Sequence, residues 1–594
     1  MLDIVAKKCR YDIVRMISGA GSGHIGGALS SIDIYISILD VMDENDRLVV
    51  SHGHSAAAVY AALGNMGYFD VEDAVKTFRR QAPYEGHPSI AVNGVEWCSG
   101  SLGQGLSVGC GFALAKKLQK EPGRVFVVMG DGEQQKGQLQ EAREFASNYN
   151  LDNLIAVIDV NGLQACGETD KTTGQSLRDK YTMSGWEVVT ADGHNFEDMK
   201  RVLKCASGPL CILARTVMGK GIEEIENDYR YHGTVISEEL KNCALKRLRL
   251  TTEEQKAIDG IKPRTQRVYE SPAISYTSGR TYDSVSDIRS AMGNALADIA
   301  KENPEVGIVA FDCDLEGSVK LTDFKKLRPD AFVECGIAEH NAATAAAAVA
   351  KSGMIAIHAD FSMFNIAETY SQNRMADINK SPIKLFCTHA GLDVGEDGKT
   401  HQCIDYLSLL SNLYGFKVIV PADANQADAA VRYALSVPES VAIIGGRSKM
   451  PVLKDENGNP LSFEYGKAQW LKKGEEGIII TYGNMTHRAL LASDELEKEG
   501  ISIGVLNLPT PLCPDEEMVL EAAKTGLVIT YEDHNVKTGI GGDIAKIILK
   551  NKSDCRLVNL GVTGYGSSAS PDRLYEMQKI DTKSLIKEIK ESLV

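Results

Sequence analysis

Residues 124–163 decide the fold, and they read RVFVVMGDGEQQKGQLQEAREFASNYNLDNLIAVIDVNGL. Two short apolar runs, Arg124 to Gly130 and Asn153 to Val160, are rich in β-branched residues, and each ends in a polar turn. A longer polar segment of helical spacing separates them. This order of strand, helix and strand indicates two parallel strands in one sheet. The stretch therefore predicts an α/β fold.

The same alternation continues along the 594 residues, with another strand predicted from Leu210 to Thr216. It is interrupted at residues 266–282, which include TSGR, and again at the DENGNP segment. We therefore expect three domains, of which the last is the smallest. The predicted ranges are 1–265, 283–455 and 465–594, with residues 266–282 as a linker.

Composition excludes several classes of protein. With 64 Lys+Arg against 80 Asp+Glu, the net charge of -16 argues against nucleic acid as a partner. No segment approaches the roughly 18 apolar residues of a membrane span, and the N-terminus lacks the apolar core of a signal peptide. The 13 cysteines are scattered singly without a CxxC pair, a pattern typical of neither a disulfide framework nor a zinc site. We expect a cytoplasmic protein without a membrane partner.

The two polar turns at the strand ends predict a metal site. Gly130-Asp131-Gly132 follows the first strand and Asn161 follows the second, so both lie at the carboxyl edge of the predicted sheet. Asp131 and Asn161 offer two oxygen ligands, and a backbone carbonyl such as that of Leu163 offers a third. Diphosphate oxygens and water would complete the octahedron that Mg²⁺ requires. A GDG tripeptide alone is a common turn, but the second strand-end residue favours a metal-diphosphate clamp.

The GDG motif followed by Asn161 resembles the thiamine diphosphate motif, and the surrounding sequence resembles the transketolase family over nearly the whole chain. The matching segments are SGHIGGALSSIDI near the start, SHGH at 51–54, GHPS at 86–89, GVEWCSGSLGQGLSVGCGFALA from Gly94, YHG at 231–233, CGIAEHN at 335–341, CTHAGLDVGEDGKTHQ from Cys387 and GGR at 445–447.

This resemblance implies thiamine diphosphate and Mg²⁺ as cofactors, with Ca²⁺ or Mn²⁺ as substitutes. The three expected domains become a diphosphate-binding domain, a pyrimidine-binding domain and a transketolase C-terminal domain. The family forms homodimers with active sites at the subunit interface. It transfers a two-carbon ketol unit from a ketose phosphate to an aldose phosphate through dihydroxyethyl-thiamine diphosphate.

Three alternatives stay open at the level of sequence. The first is a 1-deoxy-D-xylulose-5-phosphate synthase, although GHPS and the GEDGKTHQ run favour transketolase. The second is another ketol transferase with an unusual substrate, and the third is a catalytically inactive binding or regulatory protein.

The resemblance also implies a role for individual residues. Glu339 would act on the pyrimidine, which requires a pKa raised by burial, and histidines would donate hydrogen bonds and relay protons. The implied catalytic residues are Glu339, His24, His87, His232 and His401. The implied cofactor-binding residues are His54, Gly100, Ser101, Leu102, Gly130, Asp131, Gly132, Asn161, Glu339, Phe361 and Phe364, and the metal ligands are Asp131, Asn161 and Leu163. The implied substrate-binding residues are His24, His87, His232, Arg289, Ser318, His389, Asp397, His401 and Arg447.

Asp397 would read the stereochemistry of the acceptor's C2 hydroxyl, a task suited to a buried acceptor. The resemblance assigns phosphate binding to Arg289, Ser318 and Arg447.

Two positions depart from the family pattern. Lys136 stands where a Glu of an inter-site carboxylate network is usual, while Glu141 keeps the second member of that network. A lysine there would either form a salt bridge or remove the proton relay between sites. Lys399 stands where Pro is common and adds charge beside the expected substrate channel. In the C-terminal domain, GIGG is read as a tight turn before a packing helix rather than as a phosphate site.

Overall fold

The computed structural model describes residues 1–174, 176–204, 208–274, 276 and 278–593. The chain divides into two compact units, Met1–Glu270 and Ser271–Val594. None of the helices formed by the described residues is long and apolar enough to cross a membrane.

The first unit is built on a parallel sheet with strand order β1-β2-β3-β7-β6 among its described residues. The strands, including the short β4–β5 hairpin, are β1 Arg47–Val50, β2 Val125–Gly130, β3 Leu154–Val160, β4 Leu163–Gln164, β5 Gly167–Glu168, β6 Glu187–Asp192 and β7 Leu210–Arg215. The helices are α1 Leu2–Ala20, α2 Ile25–Val41, α3 Ala56–Asn65, α4 Val71–Thr77, α5 Gly105–Gln119, α6 Gln138–Asn148, α7 Asp170–Thr173, α8 Leu177–Met183, α9 Phe196–Lys204, α10 Glu238–Leu248 and α11 Thr252–Ile258.

Helices cover both faces of this sheet, which explains why β2 and β3 are apolar without alternation. Phe126 and Val128 face one way and pack in a core with α1, α2 and α3. Val127 faces the other way, towards α5, where the backbone of Gly109 lies against its side chain. The close approach of α5 depends on the absence of a side chain at Gly109.

The second unit contains two sheets. The larger is parallel, with strand order β12-β13-β11-β10-β8-β9 among the described residues. Its strands are β8 Ile308–Asp312, β9 Phe332–Glu334, β10 Ile355–Phe361, β11 Lys384–Thr388, β12 Phe416–Ile419 and β13 Ser440–Ile444. Its helices are α12 Ile288–Glu302, α13 Glu316–Val319, α14 Thr322–Leu327, α15 Glu339–Lys351, α16 Tyr370–Ile378, α17 Tyr406–Leu410 and α18 Ala424–Ser436, with a π-helical turn at Met363–Glu368.

The smaller sheet has the order β14-β16-β15-β17-β18, and β14 runs antiparallel to β16. Its strands are β14 Gln469–Lys472, β15 Gly477–Thr481, β16 Ile503–Asn507, β17 Leu527–Asn535 and β18 Arg556–Val562. The accompanying helices are α19 Thr486–Lys498, α20 Glu516–Ala523, α21 Gly541–Lys550, α22 Pro571–Gln578 and α23 Thr582–Leu593.

The predicted α/β class is confirmed, with two parallel sheets and a smaller C-terminal α/β domain. The strands expected at Arg124–Gly130 and Asn153–Val160 each begin one residue later, and the strand expected at Leu210–Thr216 ends one residue earlier. The predicted domain boundaries stay a prediction. Between Ile258 and Ile288, the described residues form neither helix nor strand.

Replacement of Gly109 by Ala tests the packing of α5 on the sheet. A Cβ at Gly109 would lie 2.3 Å from Val127 Cγ2 and 3.0 Å from Leu154 Cδ1, so helix and sheet must separate. We expect a loss of about 1–3 kcal/mol in unfolding free energy, the usual cost of overpacking a core. The change is measured as a lower midpoint in urea unfolding.

Gly137→Ala is the matched control. Gly137 has helical dihedral angles, φ −59° and ψ −40°, and a Cβ there would meet nothing within 4 Å. This substitution should be neutral or stabilise by about 0.4–1 kcal/mol. Equal midpoints for the two variants would contradict the close approach at Gly109.

Candidate functional site

A cavity of about 500 Å³ opens at the carboxyl edge of β2 and β3 in the first unit. This is the edge at which open parallel sheets bind ligands, because loops and helix N-termini converge there. The cavity is lined by His24, Gly27, His52, His54, His87, Gly100, Leu102, Gly130, Asp131, Gly132, Glu133, Asp159, Asn161, Leu163, Gln164, Ala165, Cys166 and His232.

Two buried carboxylates lie next to each other at this edge. The parallel register pairs Gly130 with Asp159, so Asp131 follows directly beside it. Burial raises the pKa of Asp131 to about 7, and the negative charge of Asp159 adds to the rise. Burial also raises the pKa of Asp159 to about 6, against hydrogen bonds from Ser30 and Thr216. Two such carboxylates favour either a proton or a cation between them.

The turn after β3 fixes the expected metal ligands beside this pair. The Gly162 amide donates to Asp131 Oδ2 at 2.7 Å, which ties the two strand ends together. Leu163 N donates to Asn161 Oδ1 at 2.9 Å, and Asn161 Nδ2 donates to Ser30 Oγ at 3.3 Å. The positive φ of 75° at Gly162 allows the chain to make this turn. Asp131, Asn161 and Leu163 therefore lie together on one wall of the cavity.

The residues of this wall fit a magnesium diphosphate. The donors that they offer are carboxylate, carboxamide and backbone carbonyl oxygens, the ligand class of Mg²⁺. The raised pKa values of Asp131 and Asp159 indicate negative charge that burial disfavours and a cation would stabilise.

Glu133 organises the loops around the cavity, and sequence reasoning missed it. Its side chain is buried and accepts hydrogen bonds from Ser51 Oγ at 2.6 Å, Gly103 N at 2.7 Å and Gly130 N at 2.9 Å. Burial raises its pKa, and the three donors oppose that rise. Because Gly103 follows directly after Gly100, Ser101 and Leu102, this carboxylate fastens the expected cofactor-binding loop to the end of β2.

Four of the predicted histidines lie around the same cavity. The ring centroids of His24 and His54 are 5.4 Å apart, those of His24 and His232 are 5.9 Å apart, and those of His54 and His232 are 5.3 Å apart. His87 is exposed at the rim, where Tyr60 donates to its backbone carbonyl at 3.0 Å. Sequence positions far apart are thus brought together by the loops that follow β1 and precede α2.

These imidazoles are neutral near pH 7. Burial lowers the pKa of His24 to about 4, with a contribution from the positive charge of Arg79. Burial also lowers the pKa values of His87 and His232, and that of His54 well below its usual range. A neutral imidazole has one N–H donor and one acceptor nitrogen, so it can both donate to and accept from a sugar hydroxyl.

The structure places Lys136 at the cavity's outer edge. Its side chain is exposed, and its stem covers Gly103, where a Cβ would be 2.5 Å from Lys136 Cβ. Ser101 lies near the same loop and accepts a hydrogen bond from Gln104 Nε2 at 3.3 Å.

A second group of predicted residues lies in the second unit, at the carboxyl ends of β9, β10 and β11. Glu339 is the first residue of α15 and is half-buried, with the buried carboxyl of Asp360 close enough to feel its charge. Phe361 ends β10, and Phe364 lies in the π-helical turn that follows. Their rings are parallel to within 19°, with centroids 6.1 Å apart.

His389 and His401 pack against these two phenylalanines. The His389 ring lies 3.7 Å from Phe361, and the His401 ring lies 5.4 Å from Phe364 in an edge-on arrangement. Burial, with help from the charges of Arg289 and Arg447, lowers the pKa of His389 to about 3. The rings of Phe361, Phe364, His389 and His401 form one aromatic surface, in which the His389 imidazole is neutral.

The three residues expected to bind phosphate are also close together. Arg289 donates to the carbonyl oxygens of Ser318 at 3.0 Å and Arg447 at 3.1 Å, so part of its fork already binds the protein. Arg447 is more exposed and lies 3.5 Å from Asp397. Asp397 ends the short helical segment Gly391–Asp397, and 45% of its side chain is exposed in the single chain. Its role towards the acceptor hydroxyl stays a prediction.

The loop that bears Asp397 is fastened by two buried carboxylates that sequence reasoning also missed. Asp393 accepts hydrogen bonds from Arg447 N at 2.6 Å and Ser448 N at 2.7 Å. Asp533, from β17, accepts from Leu392 N at 2.9 Å and from Tyr575 at 2.9 Å. Strand β17 thus supports the predicted substrate loop.

In the GIGG segment, a side chain of the protein binds the backbone amide at the start of α21. Glu532 accepts from the Ile540 amide at 2.9 Å at the start of α21, where a phosphate would otherwise bind. The interpretation of GIGG as a turn before a packing helix fits this contact.

The sequence contains a weak signal for Asp159 and Glu133, the two cavity residues that the sequence analysis did not select. Asp159 is an acidic residue inside an otherwise apolar strand, and Glu133 directly follows the GDG turn. A charge in a buried strand requires a partner, so Asp159 could have been chosen as a site residue on that ground. His52, whose Nε2 lies 2.8 Å from Tyr35 Oη, offered no comparable signal.

Three family models match successive parts of the chain. The family models described as the transketolase thiamine diphosphate binding domain, pyrimidine binding domain and C-terminal domain match residues 3–261, 285–452 and 466–585. The fold is similar to that of Campylobacter jejuni transketolase, with a TM-score of 0.83, 24% identity and 99% of each chain covered.

Relatives match over the full length as well. Mouse transketolase-like protein 2 is 30% identical, with 100% of this chain and 97% of the relative covered. Human transketolase is 28% identical, with 98% and 96% covered. The chain therefore belongs to the transketolase family.

Proposed function

We propose that this protein is a transketolase that transfers a two-carbon ketol unit from a ketose phosphate to an aldose phosphate with thiamine diphosphate and Mg²⁺. The observation that carries the proposal is the cavity of the first unit. There, Asp131 and Asn161 face imidazoles that burial keeps neutral. A metal-diphosphate clamp and a set of hydroxyl-binding groups are thus side by side.

The residues that would hold the cofactor are the ones already near the strand ends. Asp131, Asn161 and the Leu163 carbonyl would bind Mg²⁺, and the Gly130 to Gly132 turn would face the diphosphate. His54 and the loop of Gly100, Ser101 and Leu102 would complete the walls. When bound, thiamine diphosphate supplies a carbon acid whose anion can accept and release a carbonyl fragment.

The histidines bind and orient the sugar in this proposal. His24, His87 and His232 would donate hydrogen bonds to the hydroxyls and the carbonyl oxygen, and their free ring nitrogens would accept protons from hydroxyls. His401 would play the same part from the second unit, next to His389. The lowered pKa values of His24, His87, His232 and His389 keep those four rings uncharged, so both functions are available to them at neutral pH.

The residues of the second unit would act on the cofactor held by the partner protomer. We propose a homodimer in which Glu339 shares a proton with the pyrimidine ring, while Phe361 and Phe364 pack on that ring. Glu339 follows β9, and the two phenylalanines lie at and after the end of β10. Both strands belong to one parallel sheet, with β8 between them, so the three residues lie at the same edge of that sheet. The same proposal assigns residues 1–265 to diphosphate binding, 283–455 to pyrimidine binding and 465–594 to the C-terminal domain.

Phosphorylated substrates would be recognised by Arg289, Ser318 and Arg447. Of these, Arg447 has the more accessible guanidinium, while Arg289 would act partly by positioning the Arg447 backbone. Asp397 would read the acceptor hydroxyl from the exposed loop. A cytoplasmic location remains part of the proposal.

The function is tested by offering two substrate pairs to the protein with thiamine diphosphate and Mg²⁺. Xylulose 5-phosphate with ribose 5-phosphate should yield glyceraldehyde 3-phosphate and sedoheptulose 7-phosphate, detected by coupled NADH oxidation and mass spectrometry. Carbon dioxide from pyruvate with glyceraldehyde 3-phosphate, and nothing from the first pair, would contradict ketol transfer.

Arg447→Ala should raise the KM for phosphorylated donors and leave the KM for unphosphorylated hydroxypyruvate unchanged.

Cofactor binding should depend on pH in a defined direction. Since the pKa of Asp131 is raised to about 7, a proton occupies the carboxyl below that pH and competes with the cation. We expect the affinity for thiamine diphosphate with Mg²⁺ to rise up to about pH 7 and to level off above it. Isothermal titration from pH 5.5 to 8.5, in about half-unit steps, measures this profile.

Asn161→Asp provides a matched comparison for that profile, since it adds a third carboxylate without changing the size of the side chain. Its affinity should continue to rise above pH 7, because three interacting carboxyls lose their last proton later than two. A wild-type affinity that falls between pH 6 and pH 7 would contradict the competition between proton and cation.

The shared site is tested with mixed dimers of Asp131→Ala and Glu339→Ala chains, carrying different tags and purified through both. If each site takes Asp131 from one protomer and Glu339 from its partner, one site of the mixed dimer is intact. Activity should then be about half that of the wild-type dimer, although each variant alone is inactive. Mixed dimers as inactive as the parents would contradict the arrangement.

A further inference from the structure

Three chemically reactive side chains meet on one face of the larger sheet in the second unit. Strand β10 contributes His358 and Asp360, which are two residues apart and therefore point the same way. The register pairs His358 with Phe311 of β8, so Cys313, two residues later, comes beside Asp360. Asp312 of β8 is paired with Glu334 of β9. The residues that follow them, Cys313 and Cys335, are therefore also side by side.

The distances within this group are those of a ligand set. His358 Nε2 lies 3.9 Å from Cys313 Sγ and 3.8 Å from an oxygen of Asp360. One ligand atom from each of the three residues lies within 4.8 Å of the others. In a tetrahedral zinc site with normal bond lengths, such atoms are separated by roughly 3.4–3.7 Å. The two separations from His358 Nε2 are thus within a few tenths of an ångström of this range.

This group is also left unsatisfied within the protein. His358 and Asp360 have 0% exposure, and Cys313 has 3%. Asp360 Oδ2 is buried and lacks a hydrogen-bond partner among the described residues, as does the second ring nitrogen of His358. The other oxygen, Asp360 Oδ1, accepts from the Phe361 amide at 2.6 Å. A buried carboxylate with one oxygen left without a donor is costly, so a proton or a cation would stabilise it.

We propose that Cys313, His358 and Asp360 bind a zinc-type divalent cation through Sγ, Nε2 and a carboxylate oxygen. The charges support this choice, because a thiolate and a carboxylate together cancel the two positive charges of the ion. Sulfur, imidazole and carboxylate form a ligand set typical of Zn²⁺. Cys335 is half-buried beside Cys313, which gives the ion a route from solvent, and water would complete its four ligands.

Asn365 supports the strand that carries the imidazole. Its side-chain amide donates to the His358 backbone carbonyl at 2.9 Å. The ion would fix the ends of the neighbouring strands β8 and β10, and Phe361 is the last residue of β10.

The cysteine spacing in the sequence speaks against this site, since no CxxC pair exists. The parallel sheet overrides that argument, because ligands from two neighbouring strands, β8 and β10, are aligned by register rather than by spacing along the chain.

The test is a titration of the full-length, reduced protein with Co²⁺. We expect a near-ultraviolet thiolate-to-cobalt absorption that saturates at about one ion per chain and is displaced by Zn²⁺. The magnesium ligands of the first unit are oxygen atoms and give no such band. A folded protein with reduced thiols and no thiolate-to-cobalt band would overturn the proposal.

Variants assign the band to these residues. Cys313→Ser and the isosteric Asp360→Asn should lose it, because each removes one of the three ligands. Two matched controls should keep the full band. They are Cys211→Ser, a buried thiol in β7, and Cys166→Ser, an exposed thiol that lines the other cavity.

Two results would contradict the assignment even if the wild-type band appears. One is a band that persists unchanged in Cys313→Ser. The other is a disulfide between Cys313 and Cys335 in protein purified under reducing conditions, because oxidised sulfurs cannot bind the ion as thiolates.

Discussion

The first unit depends on the placement of two carboxylates, Asp131 and Asp159, next to each other in a buried position. The parallel register of β2 and β3 leaves no alternative, because it pairs Asp159 with the residue that precedes Asp131. Each charge disfavours the other, and burial disfavours both. The surroundings of the pair supply donors rather than cations. Hydrogen bonds from Ser30, Thr216 and the Gly162 amide stabilise the carboxylate oxygens. Their negative charge is left for a positive ion to neutralise.

Burial also shifts the pKa values of the histidines in this cavity, but it favours their neutral form. A cavity walled by buried carboxylates would be expected to attract protonated imidazoles, yet the rings near it have lowered pKa values. Desolvation dominates, and the rings also repel one another when charged. The result is a site that presents negative oxygens at one wall and neutral donors at another. Such a division suits a ligand with a charged metal-diphosphate end and an uncharged polyol end.

Part of this arrangement could be predicted from the sequence. Asp131 and Asn161 follow apolar strands, and strand ends in a parallel sheet share one edge, so their proximity followed from pattern alone. Asp159 and Glu133 were missed because their roles depend on register and on loop amides that the sequence does not encode locally. The fork of Arg289 was expected to face a phosphate, whereas half of it binds backbone carbonyls. Cys313 is 45 residues from His358 in the sequence, and only the pairing of β8 with β10 brings it beside His358 and Asp360.

The central claim is that the buried carboxylate pair exists to bind a cation together with a diphosphate. Infrared difference spectroscopy of the carboxylic-acid C=O band tests it most directly. At pH 6, addition of Mg²⁺ and thiamine diphosphate should remove a protonated-carboxyl band, and Asp131→Asn should lack that change. A protonated-carboxyl band that is unaffected by the cofactor, or a change that persists in Asp131→Asn, would contradict the account.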